Sequence, residues 1–125
     1  MIERIPPHND EAERSVLGSA LLDKEALFDV VELLTADDFY NEAHKEIFKA
    51  VTDLYKKSAP VDVLTVSEEL KRRNSHEMIG GRAYIAALSA DVPSTSNAAE
   101  YAKIISNKAS LRRLINTAGD IMQTS

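Results

Sequence analysis

The fold prediction starts from residues 97–124, which read NAAEYAKIISNKASLRRLINTAGDIMQT. Its apolar side chains recur at steps of three, four and seven residues, which is the period of one face of an α-helix. No proline interrupts the stretch, and its only glycine is Gly119. A helix of this length would extend roughly 40 Å, about the diameter of a small domain. The periodic residues are Tyr101, Ile104, Ile105, Leu111, Leu114, Ile115, Ala118, Ile121 and Met122.

The apolar face of this helix is broad, because two neighbouring rows of side chains run along it. One row holds Ile104, Leu111 and Ala118, and the other holds Ile115 and Met122. We therefore expect the first arm of a truncated helical hairpin, with its exposed side packed against another chain. The residues assigned to the apolar face of the hairpin are Ile104, Leu111, Leu114 and Ala118.

The sequence before this stretch predicts several shorter helices. Asn9, Asp23, Asn41 and Asp62 each stand just before an apolar helical period, where a side-chain oxygen can cap the first turn. Few glycines and prolines are present, four of each, and alternation typical of a strand is nearly absent. The predicted fold is all-α.

The predicted domain organisation has two parts. A compact multi-helix head covers residues 1–93, and a linker with the first hairpin helix covers residues 94–125. Pro93 and the Ser/Thr residues after it mark the boundary, because such residues are typical of loops.

Composition limits the classes of function. The net charge of −5 and a pI near 5.2 argue against a domain that holds DNA by its phosphates, since such domains are usually basic. No cysteine is present, which excludes disulfides and thiolate metal sites and fits a reducing cytosol. No signal-peptide pattern and no apolar run of about 20 residues is visible, so we expect a cytoplasmic protein.

The sequence also lacks the usual motifs of catalysis. A phosphate-binding loop of the form GxxxxGK[ST] is absent, since Gly80 and Gly81 are followed by Arg82. His8, His44 and His76 do not have metal-ligand spacing, so structural or surface roles are favoured. We predict no catalytic, cofactor-binding or metal-ligating residue in this fragment.

Two basic runs remain, Lys71-Arg72-Arg73 and Arg112-Arg113. We interpret both as charges at helix ends or on solvent-facing sides that need no partner. The alternative is that residues 71–73 contact the phosphates of single-stranded DNA.

An ordered set of segments along nearly the whole chain resembles the N-terminal domain of DnaB-type bacterial replicative DNA helicases. No single segment is diagnostic, but their order is specific. They include Pro6-Pro7-His8-Asn9, Ser15-Val16-Leu17-Gly18, Asp38-Phe39-Tyr40, Pro60-Val61-Asp62, Gly80-Gly81, Tyr84-Ile85, Pro93-Ser94 and Tyr101-Ala102-Lys103-Ile104-Ile105.

The resemblance implies a helical head followed by a two-helix hairpin, with hairpins of two subunits pairing. Three such pairs would form a collar above a ring of ATPase domains. The collar would dock the C-terminal helicase-binding domain of primase and, in some systems, a helicase loader. ATP, Mg and most contacts to DNA would belong to a separate motor domain, and the parent chain would be an ATP-dependent 5′–3′ DNA helicase.

By position, the resemblance places residues tied to primase contact or its modulation on Glu11, Tyr84, Ile115, Ile121 and Met122. The broad helix face supports the last three independently. An aromatic residue at helical spacing from an apolar one is usually core, so a structural role stays open for Tyr84. Glu11 lies in a first helical turn with Asp10 and Glu13, where the helix dipole favours negative charge, so its interface role depends on the resemblance alone.

Overall fold

The structure is a computed structural model that describes the backbone of residues 5–124 and the side chains of residues 5–119. The described backbone forms six α-helices and one 3-10 turn and has no strand, which confirms the all-α prediction. None of these helices is both long and apolar enough to cross a membrane. The helices are α1 (Asp10–Leu22), α2 (Lys24–Leu33), α3 (Glu42–Lys56), α4 (Val63–Arg72), α5 (Gly81–Ala90) and α6 (Ala98–Thr124), and the 3-10 turn is Ala36–Asp38.

The predicted caps fix the starts of four helices. The side chains of Asn9, Asp23 and Asn41 accept backbone N–H groups of the first turn at 2.8–3.1 Å. Asp62 and Thr65 cap each other: the Asp62 carboxylate accepts the Thr65 N–H at 2.8 Å, and the Thr65 hydroxyl accepts the Asp62 N–H at 2.9 Å. These bonds satisfy donors that every helix start leaves unpaired.

Helix α1 is the centre of the head and packs against α2, α3, α5 and α6. Its crossing with α5 is very close, because a Cβ placed on Gly18 would lie 2.1 Å from the Leu88 carbonyl oxygen. Phe39 and Phe48 are fully buried in the same core, with ring centroids 4.9 Å apart. This packing fixes the positions of the surfaces described below.

The first half of α6 belongs to the core of the head. Ala98, Ala102, Ile105 and Ala109 are buried on one side of the helix, which packs against α1 and α2. Packing is therefore continuous across residue 93. The division of the chain at that residue stays a prediction. The hairpin of which α6 would be the first helix also stays a prediction.

Candidate protein-docking surface

The second half of α6 extends past the head. Burial ends after Ala109, and Leu111, Leu114 and Ile115 are 46%, 66% and 55% exposed. We call residues 114–124 the arm; at 1.5 Å per residue its length is about 16 Å. Large apolar side chains that lie together in solvent are typical of a surface that another molecule covers.

The apolar side chains of α6 fall on two sides of the helix. At about 100° per residue, Ile104, Leu111, Ile115 and Ala118 lie within roughly 60° of one another, about 140° around the helix from the core-facing side chains. We call these four residues the strip. Ile104 is half-buried against the head, and the other three are exposed.

Leu114 lies about half a turn from Ile105 and so faces away from the head, at the edge of the strip. The predicted apolar face of the hairpin is thus a strip with Leu114 beside it. The side chains of Ile121 and Met122 lie outside the described residues, and their interface role stays a prediction.

Two arginines bind the head at the point where the arm begins. The Arg112 guanidinium donates to the carbonyl oxygens of Pro7 at 2.8 Å and of Asp38 at 2.7 Å. It also lies over the Tyr40 ring, 5.5 Å from its centroid. Arg113 donates to Asp38 Oδ1 at 2.6 Å. Both arginines therefore have partners within the protein, which the interpretation of this run as charges at a helix end or on a solvent-facing side did not predict.

A buried polar network joins three helices of the head. Glu13, only 2% exposed, accepts the backbone N–H of Tyr40 at 2.8 Å and of Asn41 at 3.3 Å. Its other neighbour is Nδ1 of the fully buried His44 at 2.8 Å, and His44 Nε2 lies 2.6 Å from the Tyr84 hydroxyl. The network thus connects α1, α3 and α5.

The protonation states in this network follow from its geometry. Burial raises the pKa of Glu13, but hydrogen bonds from His44 and from the two backbone N–H groups outweigh it, and the net pKa is lowered. An ionised Glu13 requires a donor, so Nδ1 of His44 carries the proton of this hydrogen bond, and Nε2 shares a second hydrogen bond with the Tyr84 hydroxyl. Burial raises the pKa of Tyr84, which keeps its hydroxyl protonated as a donor.

Glu13 lies in the first turn of α1, as the sequence predicts, but its burial was not predicted. One signal could have revealed its burial, because Glu13 is three, four and seven residues before Val16, Leu17 and Ala20, which form the buried face of α1. A carboxylate in phase with apolar residues indicates a buried, hydrogen-bonded acid rather than a solvated one.

The structure brings Glu11 and Ile104 together, because both line a shallow groove of about 170 Å³ between α1 and α6. Glu11 and Tyr101 also border an adjoining groove of about 250 Å³ that reaches Pro93. Tyr84 lines neither groove; it is half-buried and held by His44. This packing fits the structural role that the sequence left open, and the interface role of Tyr84 stays a prediction.

The basic run at the end of α4 is paired within the protein. Lys71 lies 3.4 Å from Glu68, Arg72 binds Glu69 through two nitrogens, and Arg73 pairs with Asp53. A phosphate would have to compete with these carboxylates. The pairing gives no support to the alternative of single-stranded DNA binding by residues 71–73.

The protein is an all-α domain with an exposed apolar strip, and its sequence carries no phosphate-binding loop. The family model described as the DnaB-like helicase N-terminal domain matches residues 5–107, and the chain belongs to this family. The resemblance found in the sequence is thereby confirmed.

Replicative DNA helicases are similar to this chain over almost all of its length. It is 44% identical over 120 residues to the replicative DNA helicase DnaB of Mycobacterium leprae and 45% identical over 121 residues to that of Geobacillus stearothermophilus. These matches cover 96% and 97% of this chain but only 20% and 27% of the relatives. The chain thus spans about a quarter of the curated relatives it matches.

Two solved structures share the fold. The crystal structure of the N-terminal domain of DnaB helicase from Mycobacterium tuberculosis superposes with a TM-score of 0.93 at 44% identity, over 95% of this chain and 85% of that one. A structure described as a DnaB-like replicative helicase and its interactions with primase has a TM-score of 0.82 at 28% identity. That match covers 93% of this chain and 27% of the helicase.

Proposed function

We propose that this chain is the N-terminal collar module of a hexameric replicative DNA helicase, which joins subunits and docks primase. The observation that carries the proposal is the exposed strip with Leu114 beside it. ATP-dependent 5′–3′ unwinding, with its ATP and Mg, belongs in this proposal to a motor domain outside these residues. The protein would act in the cytoplasm, at the replication fork.

Self-association through the strip is the first part of the proposal. Leu111, Leu114 and Ile115 are each about half exposed, so covering one of them contributes about 1 kcal/mol. A two-fold symmetric pair buries these three residues in each of its two copies, which gives about 6 kcal/mol in total. Association costs at least about 4 kcal/mol in lost translational and rotational freedom. We therefore expect weak pairing by the arm alone and stronger pairing once a second hairpin helix widens the surface.

Docking of primase is the second part. The groove lined by Glu11, Tyr101 and Ile104 adjoins the strip, so a partner that contacts the groove can continue onto Ile115. The similar DnaB-like replicative helicase, whose structure is described with its interactions with primase, supports primase as this partner. In this proposal the contact is made by the C-terminal helicase-binding domain of primase. A helicase loader is a further partner of the same module in this proposal.

Calorimetric titration of this chain with the C-terminal domain of the primase from the same organism tests the docking proposal. We expect saturable binding that Ile115→Asp weakens at least about tenfold, since a carboxylate would be buried without a partner. Leu64→Asp is the matched control, because Leu64 is 52% exposed on α4, a helix that does not pack on α6. Equal losses in both variants would contradict a specific role of the strip, and no binding by the unmodified chain would refute docking.

A further inference from the structure

We propose that Arg112 and Arg113 are positioning residues that fix the direction in which the arm leaves the head. They would thereby set the angle at which two copies pair, a consequence that rests on the proposed function. Together with their partners Pro7, Asp38 and Tyr40, they form what we call the root cluster.

The root cluster joins two separate segments of the chain to α6, one around Pro7 and one around Asp38 and Tyr40. The planar guanidinium of Arg112 reaches two carbonyl oxygens at once, one on the N-terminal segment and one at the end of the 3-10 turn. A guanidinium presents several donors in a fixed fork, so these two bonds restrict both the tilt and the rotation of α6 at this point.

The partners of the arginines are themselves held in place. Asp38 is buried, and while its Oδ1 accepts from Arg113, its Oδ2 accepts the Thr35 N–H at 2.9 Å. The Tyr40 ring lies under Arg112 and stacks on His8 with centroids 4.1 Å apart. Because the backbone N–H of Tyr40 is bound by Glu13, the root cluster is anchored on the buried network of the head.

The position of the root cluster makes it the last support of α6. The buried residue of α6 before it is Ala109, whose methyl group is a small contact, and the side chains from Leu114 to Ala118 are exposed. Without the two arginines the unsupported part of the helix would begin near residue 110 instead of 114. Its length would grow from about 16 Å to about 22 Å, so a swing of about 20° would move its end by roughly 8 Å.

Distance measurement by double electron–electron resonance tests this role directly. Nitroxide labels are attached to two introduced cysteines, Glu77→Cys and Gly119→Cys. The side chain of Glu77 is almost fully exposed, and a Cβ added at Gly119 meets no atom within 4 Å. The chain contains no other cysteine. Dilution with unlabelled protein restricts the signal to distances within one molecule, so the result does not depend on pairing.

In the otherwise unmodified chain we expect a single narrow distance distribution. Arg112→Lys keeps the charge, but a lysine ammonium lacks the planar fork that spans the two carbonyl oxygens, so the distribution should widen about twofold. Arg113→Lys should widen it as well, and Arg82→Lys, on an exposed residue of α5, should not. Circular dichroism confirms that each variant remains helical, and a merely structural role would lower the melting temperature without widening the distribution.

The outcomes separate this inference from the proposed function. Equal widths in all three lysine variants would overturn the positioning role, whatever the chain binds. A wider distribution together with weaker self-association in sedimentation supports both the positioning role and its effect on pairing. A wider distribution with unchanged self-association would overturn the effect on pairing.

Discussion

Replacing Gly18 by alanine should force α1 and α5 apart and destabilise the head. The new Cβ would lie 2.1 Å from the Leu88 carbonyl oxygen and 2.3 Å from Val92 Cγ2. Carbonyl oxygens belong to the backbone and cannot rotate away, so the helices must separate by about 1 Å to reach a tolerable contact. Overpacking costs typically about 1–3 kcal/mol, and a backbone contact this short belongs at the upper end; a gain of up to about 1 kcal/mol in helix propensity offsets part of it. We expect a net loss of about 2 kcal/mol.

Thermal unfolding followed by circular dichroism measures this loss. For a domain of this size, about 2 kcal/mol corresponds to a fall in Tm of roughly 8 °C. Gly119→Ala is the matched control, since no atom lies within 4 Å of its added Cβ, and it should leave the free energy of unfolding unchanged or slightly raised. A Gly18→Ala variant as stable as Gly119→Ala would refute the close crossing of α1 and α5.

Three further predictions concern the polar groups of the head. The pKa of Glu13 is lower in the folded chain than its ordinary value of 4.5, so its stabilising contribution is complete above pH 4.5 and is lost as the pH falls through the folded pKa. Glu13→Gln should remove that part of the acid-side slope in urea unfolding titrations, and an unchanged slope would contradict the network. Tyr84→Phe leaves the buried His44 Nε2 without its hydrogen-bond partner and should lower the free energy of unfolding by about 1–2 kcal/mol in the same assay. An unchanged free energy of unfolding would show that the hydroxyl is not needed. Asp62→Ala removes the cap of α4 and should lower the free energy of unfolding by about 1 kcal/mol. An Asp62→Ala variant as stable as the unmodified chain would contradict the cap.

The helices could be predicted from the sequence because their determinants are local. A cap and the N–H group it accepts lie within three residues, as for Asp62 and Thr65, and an apolar face repeats within each turn. The length and broad apolar face of α6 are local in the same way. The family resemblance added the expected partners and the interface role of Glu11 and Tyr84, which stays a prediction.

The contacts of the isolated polar residues could not be predicted locally, because their partners are distant along the chain. Arg112 binds groups 74 and 105 residues away along the chain, and Glu13 binds His44 31 residues away. No local pattern encodes such pairs, because they form only when the chain folds back and removes both partners from water. Local patterns were therefore enough to predict an all-α chain with a long helix and a broad apolar face over residues 97–124. Packing determined how much of that face the head covers, since burial depends on where α1 and α2 stop supporting α6.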